Sequence, residues 1–151
     1  MTNTSSKKHQ LSDYKSHYAT DAQAIVDPAL LNPHWRASEF RRTEFLVRKL
    51  ELKPGDHVLD VGCGSGWLSQ QCLQYDVDVF PIDLGLTGVK GARDRYPEVR
   101  HFQVGDLYDL PFADSIFDSL ILSEVLEHVE NVSKALQESR RVIKDGGHVI
   151  I

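Results

Sequence analysis

The sequence predicts an open, mostly parallel α/β sheet with helices on both faces, and three observations carry that prediction. Short apolar runs rich in β-branched residues recur, beginning at Val58-Leu59-Asp60-Val61, Val77-Asp78-Val79 and Phe117-Asp118-Ser119-Leu120-Ile121. Such runs suit strands buried on both sides of a parallel sheet. Segments with apolar residues at helical spacing separate them. Directly after the first run, three glycines at alternate positions, Gly62, Gly64 and Gly66, lead into a segment that can be helical, Trp67 to Gln74.

Bulk properties bound the rest. A chain of 151 residues is one domain on length, and its 41% hydrophobic and 26% charged residues are ordinary for a globular protein. A net charge of −5 supplies no basic footprint, so no nucleic-acid partner is expected. No apolar run approaches the roughly 20 residues of a membrane span. The polar start, Thr2 to Lys8, lacks the apolar core of a secretory signal. Cys63 and Cys72 form neither a metal spacing nor a disulfide framework, which reads as two reduced thiols in a cytoplasmic protein.

In chain order, residues 1–10 are polar and aperiodic, the pattern of a disordered tail. Residues 11–37 carry Tyr14, Tyr18, Ile25, Val26, Leu30, Leu31, His34 and Trp35 and are expected to form an ordered arm. The domain proper is expected to span residues 38–151. Ser38 can cap a helix running to about Leu52, with Phe40, Leu46, Val47 and Leu50 in one stripe. Arg41, Arg42, Arg48 and Lys49 then read as a solvated face. Lys53-Pro54-Gly55-Asp56 turns the chain into the first strand.

The glycine segment carries the chemistry. Glycines let a backbone approach a ligand closely, and the N–H groups of a helix start point at it, so strand, turn and helix together cradle a nucleotide or similar cofactor. Asp60, at the end of the strand, is expected to put a carboxylate in the same mouth. A dinucleotide fingerprint needs a third glycine at position 67, where Trp67 stands, and this argues against NAD. Asp83 closes the second strand, Val77–Asp83, 23 residues beyond Asp60, close to the spacing of an acid that accepts hydrogen bonds from ribose hydroxyls. The alternative for Asp83 is a surface turn. Pro81 removes a ladder donor inside that strand, and the preceding helix ends at Tyr75-Asp76 without the usual glycine.

Leu86 to Tyr96 suggests a third helix stopped by Pro97, and Arg100 to Val104 a third strand. Phe117 to Ser123 is a fourth strand. Glu127-His128 does not make a zinc helix, because Glu124 stands where a second histidine would be needed, and no metal site is expected. His128 is a candidate general base because an ordinary imidazole titrates near neutrality, the alternative being a structural histidine. Asn131 can cap a helix from Val132 to Lys144, closed by Asp145-Gly146-Gly147, and His148 to Ile151 begins a fifth strand.

The segment Val58-Leu59-Asp60-Val61-Gly62-Cys63-Gly64-Ser65-Gly66 resembles the first motif of class I S-adenosylmethionine-dependent methyltransferases. Gly105-Asp106-Leu107, with Leu110-Pro111-Phe112, resembles the segment that lies along the adenine in that family. Phe117-Asp118 with Ser123 and Glu127-His128 is similar to the acceptor edge of the small-molecule enzymes of ubiquinone and menaquinone biosynthesis. Arg140 to Gly147 resembles the segment before the fifth strand, with Asp145 where proline is usual.

The resemblance implies strand order 3-2-1-4-5 and S-adenosyl-L-methionine as cofactor. It implies cofactor contacts from Asp60, Gly62, Cys63, Gly64, Gly66, Asp83, Leu84, Asp106, Leu107 and Ser123. Asp106 would meet the adenine amine and the Leu107 N–H a ring nitrogen. The function implied is methyl transfer to a small-molecule acceptor, whose pocket Tyr14, Tyr18, His34 and Trp35 could line, or else these aromatics pack the arm onto the domain. The resemblance covers about Leu46 to Ile151 and lacks the family's sixth and seventh strands with their helix. The expectation is therefore the cofactor-binding part of a longer methyltransferase, with a fifth-strand edge open to self-association. A non-catalytic cofactor- or partner-binding protein is the alternative, and an NAD(P)-dependent oxidoreductase fails at Trp67.

Overall fold

The computed structural model describes residues 31–151, so the expectations for the tail, for most of the arm and for Tyr14 and Tyr18 lie outside the described residues. Helix α1 spans Pro33–Lys49. Its cap is Asn32, whose side chain accepts from the His34 and Trp35 N–H groups at 3.2 and 3.1 Å. Pro33 fills the first helical position, where a missing N–H costs nothing. The expected cap at Ser38 is thus corrected: two capping devices act upstream of it, and the boundary expected at residue 38 falls inside α1. His34 and Trp35 lie in the exposed first turn, Trp35 being 61% exposed, and the arm residues with which they would line a pocket lie outside the described residues. The helix also stops at Lys49, short of Leu52.

Strand β1 is His57–Val61 and helix α2 is Trp67–Cys72, followed by a 3-10 turn, Leu73–Tyr75. Asp76 supplies the left-handed residue (φ 57°) that a glycine usually provides there, a conformation short polar side chains tolerate. Strand β2 is Asp78–Asp83, helix α3 is Leu86–Arg95, and strand β3 is only Gln103–Val104. Strand β4 is Phe117–Ile121, with a 3-10 turn at Leu126–His128 beyond it. Helix α4 is Val132–Val142 and strand β5 is Ile143–Ile150. The five strands are all parallel, in the order β3-β2-β1-β4-β5.

The third strand is shorter than expected, and Pro81 supplies the reason. The Ile82 carbonyl accepts from the Gly62 and Cys63 N–H groups on the β1 side. Backbone groups alternate sides along a strand, so the Pro81 nitrogen faces β3 and offers it no donor. Pairing with β3 accordingly begins only at Ile82↔Gln103.

The junction between α4 and β5 is a second correction. Asp145-Gly146-Gly147 does not close the helix, which ends at Val142, and β5 starts at once. Phe117 pairs with Ile143 but Ser119 pairs with His148, so residues 144–147 bulge opposite Asp118. Gly147 permits this: a Cβ there would lie 2.8 Å from the Asp118 carbonyl oxygen.

Both faces of the inner strands β1 and β4 are covered. Val58 and Leu59 are adjacent and both fully buried, yet they belong to different clusters, as the twofold period of a strand requires. Val58 joins Val79 and Ile121 against Val47 and Leu50 of the α1 region and Cys72 of α2. Leu59 joins Leu120 and Phe117 against Ala135 and Val142 of α4. Each such side chain contributes about 1.5–3 kcal/mol of burial. The result is a sheet whose strand order reverses beside β1, and in open α/β sheets ligands bind at the carboxyl ends of the strands at such a reversal.

Candidate functional site

The glycine loop leaves β1 at that reversal. Gly62, Gly64 and Gly66 all have left-handed φ, at 73°, 51° and 77°. They differ in what surrounds them. A Cβ at Gly66 would lie 2.7 Å from the Phe102 ring, and one at Gly62 would lie 2.5 Å from Val125 Cγ2. A Cβ at Gly64 would meet nothing closer than 4.0 Å. Two glycines therefore serve the packing of the chain on itself, and Gly64 faces open space at the turn, with room for a ligand.

Asp83 organises this mouth. Its Oδ2 accepts from the Gly64 N–H at 3.0 Å and its Oδ1 from the Gly85 N–H at 2.9 Å. Its own carbonyl accepts from the Gly105 N–H at 3.0 Å. One residue thus ties together the loop after β1, the bend at Leu84-Gly85 before α3, and the segment after β3. The carboxylate is half-buried, and each oxygen keeps a second lone pair for a hydroxyl donor.

Asp60 does not place an open carboxylate in the mouth, contrary to expectation. It is 2% exposed, and its Oδ2 accepts from Ser69 Oγ of α2 at 2.5 Å. Burial pushes its pKa up to about 6, the Ser69 hydrogen bond opposing this and the nearby Asp83 charge adding to it. The Cys63 side chain packs among Val89, Ala92, Val99 and Phe102, so the thiol faces the core. Burial, then the Asp60 and Asp83 charges, push its pKa well above the usual thiol range, and the thiol is no nucleophile.

On the β3 side, Asp106 Oδ1 accepts from the Tyr108 N–H at 2.9 Å, and Leu107 is buried in the core cluster with Leu59 and Val61. Helix α4 splints this loop. Arg141 donates to the Leu110 and Phe112 carbonyls at 3.0 and 2.7 Å and to Asp114 and Glu138, while Glu138 accepts from the Leu110 N–H.

On the β4 side, Ser123 Oγ and Glu124 Oε1 accept from Arg42 of α1 at 3.0 and 3.1 Å. Arg42, exposed with Arg41, Arg48 and Lys49 as a solvated face requires, is thus also a bridge between elements. Glu124 holds a left-handed φ of 56°, uncommon for a side chain of its kind. His128 lies exposed at the end of the following 3-10 turn, its N–H bonded to the Val125 carbonyl. Trp67 stays out of the mouth: its Nε1 donates to Thr43 Oγ1 at 3.2 Å and its ring meets Phe40 edge-on at 4.7 Å, fastening α1 to α2.

The structure therefore brings Gly64, Asp83 and Leu84 to one mouth, with Gly105-Asp106 and Ser123-Glu124 leaving the neighbouring strand ends. Sequence reasoning missed Arg42, Ser69 and Val125, whose contacts join distant segments. Among the described residues, no group of three or more His, Cys, Asp and Glu is placed to hold a metal ion. No described helix is long and apolar enough to cross a membrane.

Comparison with known proteins follows the same outline. A family model described as a methyltransferase domain matches residues 59–151, more than half of the chain. A demethylmenaquinone methyltransferase of Paenarthrobacter aurescens is 37% identical over 111 residues, covering 74% of this chain and 44% of the relative. One from Renibacterium salmoninarum is 39% identical, with 74% and 46% covered. The crystal structure of the YcgJ protein from Bacillus subtilis superposes with a TM-score of 0.66 at 28% identity, covering 70% of this chain and 47% of that one. The chain spans less than half the length of these relatives.

Proposed function

The chain belongs to the methyltransferase-domain family, and from that premise we propose that it binds S-adenosylmethionine at the carboxyl ends of β1 and β2 and directs its methyl group to a small-molecule acceptor. One observation carries the reading: Asp83 holds the N–H of Gly64, the loop glycine that opens onto free space. The residues present fit the cofactor. A cradle that a Cβ would enter lies beside a carboxylate with spare lone pairs, and no bulky side chain of the loop fills it.

In this proposal Gly62 to Gly66 hold the methionine part, Asp83 and Leu84 the ribose side, and Asp106 and Leu107 the adenine side. The bound cofactor supplies an electrophilic methyl on a sulfonium, so the hard chemistry travels with it. The chain orients: Asp83 fixes the loop, and the β4 exit at Ser123 and Glu124 presents the acceptor edge. His128 takes a proton at its imidazole where the acceptor must lose one. The names of the two bacterial relatives, which specify demethylmenaquinone, support a small acceptor. A cytoplasmic location belongs to the proposal and is supported by two free, buried cysteines. So does self-association along β5, the last strand in the described sheet order.

The test is a screen of whole cell extract with methyl-labelled S-adenosylmethionine. A labelled small product identifies the acceptor, and label found only on protein or nucleic acid contradicts the proposed acceptor class.

A further inference from the structure

We infer that Arg42 is a positioning residue, which sets the conformation of the turn at the β4 exit and through it supports the glycine loop. The inference deepens the proposed function and rests on it only for the turn's role in binding.

Four observations converge. Glu124 is a non-glycine residue held at φ 56° immediately beyond the β4 exit. Such strain persists only where the surroundings over-determine it, and it clusters at functional sites. Arg42 reaches from α1 to that residue and its neighbour, giving one guanidinium nitrogen to Ser123 Oγ at 3.0 Å and Glu124 Oε1 at 3.1 Å. The same guanidinium is aimed from below by Glu39, one turn back on α1, whose Oε2 accepts from Nε at 3.2 Å and from Nη2 at 3.0 Å. A planar fork held on one side and donating on the other fixes direction as well as charge, which a lysine does not do.

The next residue carries the effect onward. Val125 follows the strained Glu124, and its Cγ2 stands so close to Gly62 that a Cβ there would be 2.5 Å away. The chain of contact is therefore Glu39 to Arg42, Arg42 to Glu124, and Val125 to the first glycine of the loop. Helix α1 acts on the loop across the acceptor edge as well as covering the sheet. Arg42 and Glu124 are 42% and 69% exposed in their side chains, so the energy involved is modest and its consequence is local order rather than global stability.

Amide hydrogen exchange on the full chain without cofactor tests this directly, the probes being His128 and Val129, whose N–H groups close the turn on Val125 and Leu126. Arg42→Ala is expected to speed their exchange about two- to fivefold while β1 keeps its protection, the scale of an exposed, oriented ion pair. Glu39→Gln is expected to give a smaller change in the same amides, and Arg42→Lys to recover only part of the protection. Unchanged exchange at both amides in Arg42→Ala, or full recovery with Arg42→Lys, overturns the inference. Titration of the same proteins with S-adenosylhomocysteine reads the consequence for binding. Failure of the unsubstituted protein to bind it counts against the proposed function and leaves the exchange result standing.

Discussion

The Asp83 carboxylate holds the Gly64 backbone N–H at 3.0 Å and so fastens the carboxyl end of β2 to the turn that follows β1. The same side chain holds Gly85 at the entry to α3, which makes it the hub of the mouth. Asp83→Ala removes both bonds and the proposed ribose acceptor together. Loss of charge-assisted hydrogen bonds of this kind is worth about 1.5–3 kcal/mol, roughly ten- to a hundredfold in S-adenosylmethionine affinity. Calorimetric titration of the two proteins checks it, and equal affinities would remove Asp83 from the site.

The glycines separate packing from binding. Gly66→Ala pushes a Cβ into the Phe102 ring as well as into a strained φ, and is expected to lower stability by about 2–5 kcal/mol. Gly64→Ala suffers only the strain, about 1–2 kcal/mol. It is expected to lose S-adenosylmethionine affinity at least tenfold even so, because its methyl projects into the mouth. Thermal melting beside titration gives both readings; a Gly64→Ala protein that binds as tightly as the parent would show that the cofactor lies elsewhere.

Asp60 gives a pH dependence with a definite sign. Its folded-state pKa lies near 6, above its ordinary value of 3.8, because burial disfavours the carboxylate. The protonated form is thus the one the fold favours. Its contribution is fully present below the ordinary value and is lost as pH rises through about 6, amounting to about 3 kcal/mol across that window. Asp60→Asn keeps an acceptor for Ser69 and carries no charge. Denaturant unfolding at pH 8 is expected to find it at least as stable as the parent, with less dependence on pH between 4 and 6. A variant much less stable than the parent at pH 8 would contradict this.

His128→Asn keeps a polar group that cannot take a proton near neutral pH. With His128 as the base, turnover on the acceptor identified by the labelled screen falls at least tenfold, within the range of general-base catalysis. S-adenosylmethionine affinity stays unchanged. Unaltered turnover would leave His128 structural.

Much of this arrangement is legible in the sequence because it is local. The β-branched runs, the glycine spacing and the placement of Asp83 are properties of a few consecutive residues or of one strand–helix–strand unit, whereas the order of the strands comes from the family resemblance. Asn32-Pro33 was legible too: a capping side chain followed by proline at the first helical position is a start signal, and it outweighs Ser38. The reach of Arg42 was not legible, since helical spacing says which face an arginine occupies and nothing of a partner 81 residues away. The burial of Asp60 was hidden likewise, because its partner Ser69 belongs to the next helix. Gly146-Gly147 had the composition of a helix stop, and only the approach of Asp118 from β4 shows that the second glycine serves a bulge.

The central claim is that the mouth closed by Asp83 and Gly64 takes S-adenosylmethionine. Titration of the full chain with S-adenosylmethionine and, separately, with NAD tests it most directly. One saturable site for S-adenosylmethionine, displaced by S-adenosylhomocysteine and abolished or weakened at least tenfold in Gly64→Ala, is the result predicted, with no site for NAD. Absence of saturable binding, or binding that Gly64→Ala leaves unchanged, would contradict it.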